Sequence, residues 1–145
     1  MVVSILFLIS GRDFPDLDIL FAVFLALQIP NYIIIIQYYI NDYKAEFVFE
    51  KAGDRIVYTK KNKILTYSFE DVKLIQLTAT AARLKKNGIQ MFTKDQFFFY
   101  KIAFADGSTI ILTSLLLGGK IINETNFKNM NFRKEAVFFS FLPNV

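Results

Sequence analysis

Two hydrophobic patterns divide this chain of 145 residues. In residues 1–9 and 19–40 apolar positions run together; from Ala45 on they alternate with polar ones. Residues 19–40, ILFAVFLALQIPNYIIIIQYYI, carry no charge. At 1.5 Å per residue a helix of that length reaches about 33 Å, enough to cross a hydrocarbon core of about 30 Å. The segment predicts a transmembrane helix. As the buried helix of a soluble protein it would need more chain around it than the roughly 105 residues that follow. Pro30 predicts a kink near its middle, which membrane helices tolerate, and Tyr38 and Tyr39 fall near the expected exit interface. Gln28, Asn31 and Gln37 are polar but uncharged, and mark a candidate intramembrane contact.

Residues 2–9, VVSILFLI, are apolar but too short to span. They lack the basic leader and small-residue cleavage site of a signal peptide. We read 1–9 as the tail of a first membrane helix whose earlier part precedes Met1. Residues 10–18 then form a short outer loop, and the two helices a hairpin. Orientation follows from basic residues near the helix ends. Arg12 stands alone before the helix, whereas Lys44, Lys51, Arg55 and Lys60 follow it. The positive-inside rule places the C-terminal part in the cytoplasm, at a cell (inner) membrane.

Beyond the helix the period becomes two. EFVFE (46–50) puts Phe47 and Phe49 on one face, and KAGD (51–54) turns the chain. RIVYTK (55–60) follows, then the polar KNK (61–63), ILTYSF (64–69) and VKLIQLT (72–78), the last with Val72 and Leu74 on one face. Residues 79–95 have no clean pattern and predict a long basic loop holding a short strand. QFFFYKIAFADGSTIILTSLLL is the clearest hairpin: Phe98, Tyr100, Ile102 and Phe104 share a face, Asp106-Gly107 offers type I′ turn chemistry, and Thr109–Ser114 returns. Residues 133–141 allow a short helix or a last strand. Short strands at this spacing predict an antiparallel sandwich or barrel of six or seven strands. The chain thus divides into a membrane segment, 1–43, and a mainly-β domain, 44–145.

Composition narrows the chemistry. There is no cysteine and no histidine, so no disulfide, thiolate nucleophile, zinc finger or imidazole base can be built. Phosphate loops, dinucleotide fingerprints and Ser-x-x-Lys are absent. The net charge is +4, and its basic excess lies wholly after residue 40. A mildly basic domain beside a membrane suits an anionic lipid surface; ordinary surface charge is the plainer account.

The stretches FVFEKAGDRIVYTKKNKILTYSFEDVKLIQ (47–76) and FFFYKIAFADGSTIILTSLL (97–116), placed after a membrane helix, resemble bacterial membrane proteins with a pleckstrin-homology-like (PH-like) domain. The resemblance implies a strongly bent sheet closed by a C-terminal helix. This sequence departs there, because residues 115–145 show no clear amphipathic helix. It supplies a fold more than a task.

Lys60, Lys61 and Lys63 form one candidate anionic-lipid contact, and Arg83, Lys85 and Lys86 a second; solvated turns are the alternative. The first strand turn, Lys51 to Arg55, is spoiled as a phosphoinositide site by Asp54. Glu70-Asp71 is an adjacent carboxylate pair, read as a turn in which Asp71 bonds nearby backbone. Phe97 and Phe99 lie on the face opposite the hairpin's core side and must meet lipid, a partner or a second layer. Aromatics beside basic groups also suit single-stranded nucleic acid, but a membrane tether and modest charge argue against it. No catalytic residue, cofactor or metal site is predicted. The expected protein is a non-enzymatic, membrane-anchored one whose PH-like domain binds a protein partner, a second copy or the membrane surface. The competing reading is an accessory subunit of a membrane complex or transporter.

Overall fold

The computed structural model describes residues 17–50, 54–85, 92–122 and 130–143. The expected first helix at 1–9, the loop before residue 17, most of the Lys51–Arg55 turn and Lys86 lie outside them. Helix α1 runs Leu17–Asp42, longer at both ends than the uncharged segment alone, with Pro30 inside it. Its stretch Ile19–Asp42 is long and apolar enough to cross a membrane. The chain forms two compact units, Met1–Pro30 and Asn31–Val145. The second therefore takes in the last turns of α1 together with every described strand.

Among the described residues seven strands follow: β1 (Ala45–Glu50), β2 (Arg55–Lys60), β3 (Lys63–Ser68), β4 (Val72–Thr80), β5 (Phe98–Phe104), β6 (Thr109–Thr113) and β7 (Phe132–Val137). The first three make an antiparallel sheet, and the others a second sheet of order β6-β5-β4-β7. Alternation explains the packing. Ile56 and Tyr58 from the first sheet meet Ile75, Leu77, Phe98, Tyr100, Ile102 and Leu112 from the second in one core. This is the sandwich the period-two pattern predicts.

Several local expectations are corrected. Phe69 leaves the strand: Phe69–Asp71 is a 3-10 turn, with Ser68 Oγ accepting from the Glu70 N–H at 3.4 Å and Asp71 Oδ2 accepting from the Ser68 N–H at 3.0 Å. A register shift between Val72 and Leu74 sends Ile75 and Leu77, rather than Leu74, to the core side; an extra residue in a ladder reverses the face of everything after it. Instead of a loop with a short strand, the described part of 79–95 holds the end of β4, a helical turn Ala81–Leu84 and a 3-10 turn Thr93–Gln96.

The two hairpin turns exchange roles. Lys61 and Asn62 both take positive φ, 48° and 67°, between the paired Lys60 and Lys63. That is the two-residue type I′ geometry expected at Asp106-Gly107. In the β5–β6 loop only Gly107 is left-handed, at φ 85°. Its N–H donates to the Phe104 carbonyl at 3.1 Å, and the Phe104 N–H donates to the Ser108 carbonyl at 3.0 Å. This is a type I turn followed by a glycine bulge.

The tail resolves into a strand rather than a helix. β7 pairs with β4 in parallel, from Ile75↔Phe132 to Thr80↔Val137. The two strands are far apart in the chain, with β5 and β6 between them, which meets the need of a parallel pair for a long connection. As an edge strand, β7 exposes Arg133, Lys134 and Glu135, charges that discourage pairing with another chain. Among the described residues no C-terminal helix closes the sandwich.

Candidate functional site

Aromatic residues in sequence, Phe97 to Tyr100, set up the site. Phe98 and Tyr100 fill the core between the sheets, so Phe97 and Phe99 must point to the outer face of β5. There they are 6% and 4% exposed, packed with Ile111 against Ile34 and Tyr38 of α1. Of the occupants the sequence allowed, the one present is a second layer made by the chain's own helix. Phe97 and Phe99 are thus an internal contact, not an open partner surface. Phe139 and Leu142 pack against the same cluster.

Polar groups fasten this layer. The Tyr38 hydroxyl donates to the Ser140 carbonyl at 2.9 Å, and the Ser140 hydroxyl to the Phe97 carbonyl at 3.0 Å. Tyr38 meets Phe97 edge to face, with centroids 5.8 Å apart. Gln37 Oε1 accepts from the Leu142 N–H at 3.2 Å. Asn41 Nδ2 donates to the Ile111 carbonyl at 3.3 Å. Asp42 Oδ2 accepts from the Thr113 hydroxyl, and from the Leu116 N–H at 3.1 Å. Gln37 is therefore employed inside the chain, and Asn31 is buried in the same unit. Gln28 lies on α1 within the first unit.

The basic candidates separate. The β2–β3 turn is tied to the end of α1: the Lys61 N–H donates to the Lys44 carbonyl at 3.3 Å, and Lys60 Nζ donates to Asn41 Oδ1 at 3.3 Å. Lys60, Lys61 and Lys63 thus gather beside Lys44 where the helix ends. Arg83 belongs elsewhere. Its guanidinium donates to the Gly119 carbonyl at 2.7 Å and lies over the Phe98 ring at 5.1 Å, which makes it a brace for the chain after β6. Lys85 is exposed at the end of the same helical turn.

Beside the α1 end lies an open cleft of about 270 Å³, lined by Asn41, Tyr58, Lys60, Lys101 and Thr109 among others, with no carboxylate in its lining. Burial raises the Tyr58 phenol above its ordinary value, and the Asp42 carboxylate adds to the shift, so its hydroxyl stays a neutral donor. The two ammonium groups with the Tyr58 and Thr109 hydroxyls can hold an anion, whereas Asn41 gives its amide hydrogens to the Ile111 carbonyl and to Asp42 Oδ1. They present no nucleophile paired with a base. Lys101 was missed in the sequence, where it reads as one polar position of an alternating strand. Its signal was its register: Lys101 faces outward with Phe97 and Phe99.

These features define a two-sheet β domain joined to an apolar helix, with a basic cleft at the junction. The PH domain profile matches residues 1–125, and the chain belongs to the PH domain family. The matched region includes α1 and ends before β7. No curated protein and no solved structure matches the chain. PH domains are generally non-catalytic modules that commonly bind lipids or proteins.

Proposed function

We propose that this protein is a membrane-anchored, non-catalytic binding module. Helix α1 holds the PH domain at the cytoplasmic face of a cell membrane, and the domain's basic side lies on anionic lipid. The hydrogen bonds that tie the β2–β3 turn to the end of α1 carry this reading. They gather Lys44, Lys60, Lys61 and Lys63 where a spanning helix leaves the hydrocarbon. Each such charge adds up to about 1 kcal/mol of attraction to an anionic leaflet, within roughly a Debye length. The excess of basic residues after α1 supports the cytoplasmic side.

The test uses the full chain in nanodiscs of zwitterionic lipid, with and without phosphatidylglycerol. An environment-sensitive fluorophore on Ile64→Cys, exposed next to Lys63, reports the turn's surroundings. The expected result is a blue shift with phosphatidylglycerol that high salt removes. It should also vanish in the triple variant Lys60→Gln, Lys61→Gln, Lys63→Gln. Emission independent of lipid charge would refute the proposal.

A further inference from the structure

Residues 31–43 of the second unit are inside out for an aqueous helix. A surface helix normally turns its polar side chains to water and its apolar stripe to the core. Here Asn31, Gln37, Asn41 and Asp42 all lie on the side packed against β5, β6 and the segment 139–142, three of them in the hydrogen bonds described above. Every exposed position from 32 to 40 is isoleucine or tyrosine. Ile36, Tyr39 and Ile40 are 56%, 63% and 66% exposed.

We infer that this outer face is a membrane-contact surface of the PH domain itself. The occupant is lipid. The face carries no charge, and the first unit's part of α1, by itself, also exposes large apolar side chains, among them Leu20, Phe24 and Leu27. The tyrosines at 39 and 43, at the end of α1, have the amphipathic rings that settle at headgroup level. Polar side chains turned toward protein and apolar ones turned outward are the arrangement a nonaqueous surround demands. A contiguous apolar face of this kind left to water would be an aggregation liability. A second copy is less well matched, because the exposed isoleucines offer no polar group to fix its register.

The inference rests on the membrane reading above, and the experiment separates the two. The chain has no cysteine, so single nitroxide labels can be placed in the full protein by Ile36→Cys, Ile40→Cys, Leu27→Cys and Glu50→Cys. Glu50 is exposed at the end of β1, and serves as the water reference. In nanodiscs, collision with oxygen, which concentrates in lipid, is compared with collision with a water-soluble nickel chelate. The oxygen-to-nickel ratio at Ile36 and Ile40 should exceed that at Glu50 several-fold and approach that at Leu27. If Ile36 and Ile40 match Glu50 while Leu27 stays high, the inference falls and the anchor stands. If Leu27 also matches Glu50, both fall. If both reagents are excluded at Ile36 and Ile40 and the labels couple between molecules, a second copy covers the face and the lipid assignment is overturned.

Discussion

Asp42 is the residue on which the junction between α1 and the second sheet turns, and its removal should be measurable. Its carboxylate takes the Thr113 hydroxyl and the Leu116 N–H. A hydrogen bond to a charged group contributes about 1.5–3 kcal/mol, and a buried donor left without an acceptor costs about 1–3 kcal/mol. Thr113 is 0% exposed, so water cannot replace its partner. Leu116 is only half-buried, so its N–H can be rehydrated. Asp42→Ala should therefore lower stability by about 2–3 kcal/mol, dominated by Thr113. Asp42→Asn keeps the acceptor and loses only charge assistance, so about 1 kcal/mol is expected. Denaturant unfolding of the full chain in micelles, followed by tyrosine fluorescence, measures both. Thr113→Val completes a double-mutant cycle, with a coupling of about 1–2 kcal/mol expected. A loss under about 0.5 kcal/mol for Asp42→Ala, the range of an ordinary surface change, would show that the carboxylate is merely a solvated helix end. A second readout is independent of folding energy. Without the Asp42 charge the Tyr58 phenol should titrate at lower pH, yet still above an ordinary tyrosine, because burial is the larger cause.

Tyr38→Phe removes the donor to the Ser140 carbonyl while keeping the ring, and should cost about 1–3 kcal/mol in the same unfolding assay. Lys61→Asn with Asn62→Gly puts the preferred residues into the type I′ turn, and should raise stability by about 0.5–1 kcal/mol in thermal melts. Gly107→Ala forces a side chain into a left-handed position at φ 85°, for a loss of about 1–2 kcal/mol. The raised folded pKa of Tyr58 means that the native state holds this proton more tightly than the unfolded chain does. Its stabilising effect is intact below the ordinary value of about 10 and declines as pH rises from there through the folded value. The alkaline unfolding midpoint of Tyr58→Phe should therefore lie higher than wild type, relative to each protein's stability at neutral pH.

Strands β1, β2, β5 and β6 were legible because each alternates and is closed by its own local turn, so nothing distant was needed to define them. The β4 register was not, because the irregularity between Val72 and Leu74 is settled by pairing with Phe104 and Ala103, thirty residues away or so. Turn assignment failed for a related reason. Asp106-Gly107 has the composition of a type I′ turn, but the Ser108 N–H is taken by Asp106 Oδ1 at 2.8 Å and only the glycine goes left-handed. Lys61-Asn62 has the poorer composition, and the tight Lys60↔Lys63 pairing imposes the geometry. Likewise β7 depends on an open parallel edge of β4, which no local pattern of FRKEAV announces. At the site, the lysines of the β2–β3 turn were visible as a cluster. Lys101 and the cover over Phe97 and Phe99 were not, because they come from elements far apart in sequence.

The helix itself shows why a hydropathy reading is only half of the account. An apolar average over 19–40 treats the circumference as uniform, but residues 31–42 have two different sides. Were the helix a bare span, Gln37, Asn41 and Asp42 would be costs with nothing to offset them. Were it a core helix, Ile36 and Ile40 would be buried and the polar groups outside. In the observed arrangement the sheet satisfies the polar side, and the proposal above gives the other side to lipid. The arrangement also removes any hinge between these last turns and the sheets. Tyr43 and Lys44 alone separate α1 from β1, Lys44 sits at a fixed left-handed φ of 55°, and its carbonyl is held by Lys61. The last turns of α1 therefore belong to the domain, and whatever lies against their outer face is set at a fixed distance from the cleft between Lys60 and Lys101.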